Sequence, residues 1–221
     1  MTLTALVPVP MELQQRPDAV FAPIAGQSVL ARIVRTLASV ADVALGGVVV
    51  AVAEPLAPSA AAALAGIPAV RVVTAAAPGR RRQCIAAGLQ DIGGGSVLLH
   101  DLAWPLIAED TLGRVTAALR DGADAVLPAC AVTDSIKDVD TSGAVAATLD
   151  RSALRTVQYP RGFDVAVLAR LLDTAGADDF DELAAVLTSG AAVTVVDGDT
   201  TTSRFELPDD AGYLAAVIAS R

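Results

Sequence analysis

Asp101 closes the apolar run Val97-Leu98-Leu99-His100-Asp101, and Leu102-Ala103-Trp104-Pro105 follows it. A carboxylate at the carboxyl tip of a buried strand is placed to hold Mg2+ against the phosphates of a substrate. The same residue type also serves there as a turn or helix-cap residue. His100, the only histidine, reads as a hydrogen-bonded structural group rather than a catalyst, and Trp104, the sole tryptophan, as a packing residue. A second constellation is Pro78-Gly79-Arg80-Arg81-Arg82, three guanidiniums opening a helical stretch. Cations at a helix N-terminus oppose its dipole. Either a bound anion such as a phosphate chain answers them, or carboxylates and water do so in a solvated turn. Further on stand Thr148-Leu149-Asp150-Arg151, Asp181-Glu182 and Ser203-Arg204. Their arginines could grip a phosphate bidentately, or form ordinary surface ion pairs.

In an open α/β sheet, ligands sit outside the carboxyl ends of the strands. The loop after the first strand, Pro8-Val9-Pro10-Met11-Glu12-Leu13-Gln14-Gln15-Arg16, is therefore where a main-chain phosphate cradle belongs. It contains no glycine, its two prolines have no N–H, and Glu12 adds a negative charge. No such cradle is expected.

The elements that must position these groups alternate between short β-branched runs and alanine-rich helical stretches, the pattern of a parallel sheet with crossover helices. Strands are expected at 3–7, 47–53, 69–74, 96–99, 123–128 and 193–196. Helices are expected at 27–40, 58–65, 80–89, 109–120, 165–172, 181–187 and 209–219. In the 27–40 helix, Val29, Ile33, Leu37 and Val40 form one apolar stripe. Residues 132–137 and 144–149 alternate around a turn-rich connection and predict a β-arm at about 131–150. The expected architecture is one domain over residues 1–221, an α/β sandwich with a mainly parallel sheet and a projecting arm.

Composition narrows the function classes. The chain has 221 residues, 53% hydrophobic and 19% charged, enough for a sizeable core. Its net charge of −9 argues against nucleic acid as a partner, because phosphate contacts need a basic face. Of its 16 basic residues only Lys137 is a lysine. Two cysteines and one histidine exclude a Cys/His zinc cage and a disulfide framework, and fit a reducing, cytoplasmic setting. The start of the chain has no basic region and its apolar stretch stops at Pro8, so it reads as a strand rather than a signal peptide. No stretch reaches the ~20 apolar residues of a membrane span, and no membrane partner is expected.

Taken together, the motifs resemble those of the 2-C-methyl-D-erythritol 4-phosphate cytidylyltransferase (IspD) family. Val97 through Pro105 looks like V-L-V-H-D-A-A-R-P, and Arg81 through Gly88-Leu89 looks like R-x-D-S-V-x-x-G-L. Asp134-Ser135-Ile136-Lys137 is similar to D-T-x-K, and Thr148 through Leu154 to T-x-x-R-x-x-L. Gln158-Tyr159-Pro160-Arg161-Gly162-Phe163 is similar to Q-T-P-Q-x-F, Asp181-Glu182 to T-D-E, and Val195 through Arg204 to V-x-G-(x)-N-I-K. The resemblance implies a Rossmann-like nucleotidyltransferase fold whose arm swaps across a homodimer. It implies transfer of CMP from CTP to a sugar-alcohol phosphate, with Mg2+ bridging the triphosphate. It assigns Asp101 to the metal, Arg151 to the acceptor's phosphate across the dimer, with Tyr159 and Asp181 beside it, and Arg204 to a charge-stabilising lysine's place. Pro8, Val9, Gly79, Arg81, Cys84 and Asp101 fall at nucleotide-binding positions.

The departures from the family pattern are as informative. The glycine loop P-A-A-G-x-G-x-R and its following catalytic lysine are missing; the lysine position falls near Asp18-Ala19, with Arg16 the nearest possible substitute. Cys84 replaces a serine, Trp104 an arginine, Tyr159 a threonine, Arg161 a glutamine and Phe180 a threonine. One preorganised donor to a transition-state oxyanion contributes ~3–4 kcal/mol, so losing two predicts weakened or lost CMP transfer. The alternatives are an active cytidylyltransferase with arginines in place of lysines, or a nucleotidyltransferase with a shifted substrate.

Overall fold

The computed structural model describes residues 2–39, 46–174 and 180–221. Strand β1 (Leu3–Val9) lies at the centre of a sheet, parallel to both of its neighbours, β4 (Val48–Ala53) and β6 (Ser96–Leu99). Beyond β4 runs β5 (Val70–Ala75), also parallel. On the other flank β11 (Arg161–Asp164) is antiparallel between β6 and β7 (Ala125–Ala131). Strand β7 also pairs with β10 (Arg155–Val157), antiparallel, and with β12 (Val193–Asp197), parallel. The sheet is thus mixed but mainly parallel, as expected. The two strands of this sheet not anticipated, β10 and β11, are only three and four residues long.

Helices cover both faces, which explains why the central strands are buried throughout and apolar at nearly every position, Thr4 and Ser96 excepted. Ala5, Val7 and Val9 of β1, with Val48, Val50 and Val52 of β4, pack toward α2 (Val29–Ser39), α3 (Ala57–Leu64) and α5 (Glu109–Arg120). Leu6, Val49 and Ala51 point the other way, into a second core with α4 (Arg81–Ile92), α6 (Val165–Thr174) and α7 (Glu182–Ser189). Each such Val or Leu, removed fully from water, contributes roughly 1.5–3 kcal/mol. Helix α4 lies close on β1 because residue 88 is glycine: a Cβ there would stand 2.2 Å from Leu6 Cδ1.

The helix expected at 27–40 begins later. Gln27 and Ser28 form β3, paired with β2 (Pro23–Ile24), and the Ser28 hydroxyl accepts the Ala31 N–H at 3.2 Å as an N-cap. Val40 lies outside the described residues. Short α1 (Asp18–Phe21) precedes this hairpin, and α8 (Ala211–Ala219) ends the chain's elements. The arm is a two-stranded antiparallel hairpin, β8 (Lys137–Val139) with β9 (Val145–Thr148); the first strand lies later than the expected 132–137, sharing only Lys137 with it, and takes up the start of the expected turn. It leaves Val139, Val145 and Leu149 exposed. Among the described residues, no helix is long and apolar enough to cross a membrane.

Candidate functional site

A cavity of about 490 Å³ opens at the carboxyl ends of β1 and β6, where a parallel sheet presents its loops. Its wall brings together Pro8, Arg16, Arg81, Asp101, Asp181 and Arg204, six of the residues singled out in the sequence. The linear distance between them is large, and the sheet closes it: β1 delivers Pro8, β6 delivers Asp101, and α4 starts at Arg81. Arg80 also lines the cavity, as do Glu12, Phe180 and Phe205.

The loop after β1 coils into a 3-10 turn, Met11–Gln15. Three of its main-chain donors are turned to the protein: Met11 N–H to Gly79 O at 2.8 Å, Leu13 N–H to Pro10 O, and Arg16 N–H to Leu13 O, both at 3.1 Å. Gly79 serves as the turn that receives the loop. Its φ of +73° is a conformation that side-chain-bearing residues avoid, and a Cβ on it would meet Ala53 Cβ at 2.8 Å.

Behind the cavity wall lies a compact charged cluster. The Asp101 carboxylate is fixed at both oxygens: Oδ1 accepts the Ala103 N–H at 2.9 Å, and Oδ2 accepts Arg81 Nη1 at 2.7 Å. The other arm of the Arg81 fork, Nη2, donates to Tyr159 OH at 3.1 Å and to Glu182 Oε1 at 3.2 Å. Glu182 is buried, and its Oε1 also accepts Arg161 Nη1 at 2.9 Å and the Tyr159 hydroxyl. The Arg161 guanidinium stacks 4.2 Å from the centre of the Tyr159 ring. Burial works against the Arg81 charge, but facing Glu182, Tyr159 and Asp101 outweigh it and hold the guanidinium's pKa above its ordinary value. Burial raises the Tyr159 phenol, more than the nearby arginines lower it, so it stays neutral.

This cluster shows how two arginines of the turn are answered within the protein, while Arg80 lines the cavity. Arg81 is answered by carboxylates of the protein itself, and Arg82 Nη2 donates to Leu172 O at 2.6 Å. His100 is also structural: its Nε2 lies 2.8 Å from Trp104 O, which can only accept, so the ring is neutral with its proton on Nε2. Burial pushes its pKa down to about 4. Trp104 is buried against Tyr159, with ring centroids 6.2 Å apart.

Several sequence candidates stand away from the cavity wall. Val9 is buried in the sheet. Cys84 is fully buried, its thiol donating to Gly79 O at 3.6 Å, and burial pushes its pKa up to about 12, so it packs beneath the turn. Tyr159 stands behind Arg81 and faces Glu182 rather than the open space. Arg151 sits at the base of the arm, exposed and donating to Thr133 O, and does not reach the cavity of its own chain. Asp181 lines the cavity and also caps α7, accepting Leu183 N–H at 2.8 Å and Ala184 N–H at 3.3 Å. At the rim, Arg16 pairs with Asp209 at 2.7 Å and Arg204 with Glu206, all four side chains more than half exposed.

For a divalent cation, the donor set is specific. No three His, Cys, Asp or Glu side chains among the described residues form a cage. Mg2+ bound to substrate phosphates needs only one or two protein carboxylates, and Asp101 at the cavity wall, with a second lone pair on each oxygen, fits that mode.

A nucleotidyltransferase-like sheet with an aspartate at this strand tip raises the question of kinship. A profile of the IspD family, 2-C-methyl-D-erythritol 4-phosphate cytidylyltransferase, matches residues 11–220. The chain belongs to the IspD family. It is 33% identical over 228 aligned positions to the 2-C-methyl-D-erythritol 4-phosphate cytidylyltransferase of Saccharopolyspora erythraea, covering 99% of this chain and 100% of that protein. Over 133 residues it is 41% identical to the enzyme of the same name from Streptomyces coelicolor, which is 58% of this chain and about half, 49%, of that relative. A crystal structure of 4-diphosphocytidyl-2C-methyl-D-erythritol synthase superposes with a TM-score of 0.80 over 99% of this chain and 100% of that one, at 24% identity, a likeness of fold. Within the IspD family frame, the feature that sequence reading passed over is Glu182. It stands in a motif beside the candidate Asp181, yet it is the buried partner of Arg81 and Arg161.

Proposed function

We propose that the protein binds CTP in the cavity and transfers CMP to a sugar-alcohol phosphate, at a rate lower than a glycine-loop relative achieves. In this reaction an acceptor phosphate oxygen attacks the α-phosphorus. The new P–O bond forms as the bond to the β-phosphate bridge breaks, and pyrophosphate leaves. Arg16 and Arg204 would hold the charge that develops on the leaving pyrophosphate, with guanidiniums replacing the donors absent from residues 8–16. Asp101 would hold Mg2+, which when bound neutralises phosphate charge. Pro8 and Arg81 would border the nucleotide, Asp181 the acceptor.

The acceptor phosphate would be gripped by Arg151 of a second copy. The support for this is that Arg151 lies on the exposed arm, outside its own cavity, next to the apolar Val139, Val145 and Leu149 that a homodimer would cover. A cytoplasmic setting accords with two unpaired cysteines, Cys84 and Cys130.

One observation carries the reading: Asp101, Arg16 and Arg204 meet at one cavity while the Met11, Leu13 and Arg16 main-chain donors of the first loop are consumed internally. The test is release of pyrophosphate from CTP with Mg2+ and 2-C-methyl-D-erythritol 4-phosphate. The expected rate is about a hundred- to a thousand-fold below that of a relative carrying the glycine loop. Equal rates, or a protein that does not bind CTP, would overturn it.

A shifted acceptor is the second reading, favoured by Phe180 in the cavity wall and the Trp104–Tyr159 pair behind it. A thermal-shift screen of nucleotides and sugar phosphates separates the two, since a true ligand raises Tm by mass action.

A further inference from the structure

Four charged groups run in alternating sign from the interior to the cavity: Arg161, Glu182, Arg81, Asp101. The links are Arg161 Nη1 to Glu182 Oε1 at 2.9 Å, Arg81 Nη2 to Glu182 Oε1 at 3.2 Å, and Arg81 Nη1 to Asp101 Oδ2 at 2.7 Å. Side chains are 29% exposed at Asp101, 22% at Arg81, 1% at Glu182 and 10% at Arg161, so the minimum falls at Glu182. Glu182 is therefore the buried hub. Its Oε1 takes donors from Arg81, Arg161 and Tyr159, and Arg81 Nη2 also reaches its Oε2 at 3.3 Å.

Stability alone is a poor reason for such an arrangement. Desolvating two carboxylates and two guanidiniums costs about as much as their attraction returns, and apolar replacements are often as stable. The cluster is also not fully satisfied, because the buried Arg161 Nε finds no partner. What it does achieve is geometry. A planar guanidinium gripped at one nitrogen cannot rotate the other, so Glu182 sets where Arg81 Nη1 points, and Arg81 in turn sets Asp101. Asp101 is then held from two sides, by Arg81 on one oxygen and the Ala103 N–H on the other.

We propose that Glu182 is a positioning residue for the cavity carboxylate: acting through Arg81, it holds Asp101 in the orientation that receives a phosphate-bound divalent cation. This rests on the nucleotide reading of the cavity. The fold supports it locally, since Glu182 occupies the first position of α7 after the Asp181 cap, and Arg81 the first position of α4. Both side chains leave rigid helix starts rather than loops, as a preorganised site requires. Partners one step removed from a metal commonly change its affinity 10- to 100-fold.

The experiment follows Mn2+ binding by electron paramagnetic resonance, with and without CTP, in the wild type and in Glu182→Gln. The expected result is an about tenfold weaker uptake of Mn2+ with CTP in Glu182→Gln, a clearly larger loss than that in metal-free CTP binding. A merely structural role would weaken both together. In an Asp101→Asn background, Glu182→Gln should add nothing further, because both act on one ligand. Should Glu182→Gln fold poorly, Glu182→Gln/Arg161→Gln removes one charge of each sign and tests the same loss of grip on Arg81. A wild type that takes up Mn2+ with CTP while these variants do so equally overturns the positioning role alone. A wild type with no such uptake overturns the nucleotide reading and this role with it.

Discussion

The same chemical pair, arginine with carboxylate, occurs in two places on this molecule and does different things. At the rim, Arg16–Asp209 and Arg204–Glu206 join side chains that are more than half exposed. Arg161–Glu182 and Arg81–Glu182 instead share one carboxylate that water barely reaches, 1% exposed behind the wall. Water screens the rim pairs, so each holds its geometry weakly and can exchange its carboxylate for a phosphate at little cost. The shared Glu182 has no alternative partner in solvent. The inner pairs fix positions, and losing one member leaves a charge stranded. The molecule thus separates groups free to meet a ligand from groups that keep the wall in place.

The largest expected effect breaks the inner set. Glu182→Ala leaves two guanidiniums without their shared carboxylate, and urea unfolding should show a loss of about 3–5 kcal/mol. A loss below about 1 kcal/mol would remove the distinction drawn here.

Next comes pH. His100 is buried beside the cluster with a pKa of about 4 against 6.5 when exposed, so the unfolded chain takes up the proton first. Its contribution to stability is complete above pH 6.5 and is lost as pH falls toward 4. Unfolding measured across that window should show a decline on the order of 3 kcal/mol. A His100→Gln variant should flatten the slope, whereas Arg204→Ala should leave it intact.

Asp181 lies between the two regions, exposed yet capping α7. Asp181→Ala should cost about 1 kcal/mol by the same assay, and Asp181→Asn much less, because the amide oxygen still caps. The smallest effect belongs to the rim: Arg204→Ala should change stability by less than about 0.5 kcal/mol. A larger change there would mean that the rim pair is structural as well.

The sequence carried most of the sheet, and the reason is periodicity. A strand such as Val48–Ala53, apolar on both faces, announces a central parallel position. Antiparallel β11 escaped because four residues, Arg161–Asp164, show no alternation and pair with strands far away in the chain. At the site, Asp101, Arg16 and Arg204 were legible because their types suit phosphate chemistry and they follow strands or lie in known motifs. The inner cluster was not. Arg81 and Glu182 are separated by 101 positions, and nothing local says that one neutralises the other. For the same reason Cys84 and Tyr159, at nucleotide and phosphate positions by resemblance, stand behind the wall in packing and hydrogen-bonding roles.

The central claim is that side-chain guanidiniums at the rim take over phosphate binding from an absent main-chain cradle. Calorimetric titration of CTP with Mg2+ into the wild type and into Arg16→Ala/Arg204→Ala tests it most directly. The account predicts measurable binding in the wild type, at least about tenfold weaker in the variant, since one lost charge-assisted hydrogen bond alone is worth about 1.5–3 kcal/mol. Equal affinity in the two proteins would contradict it.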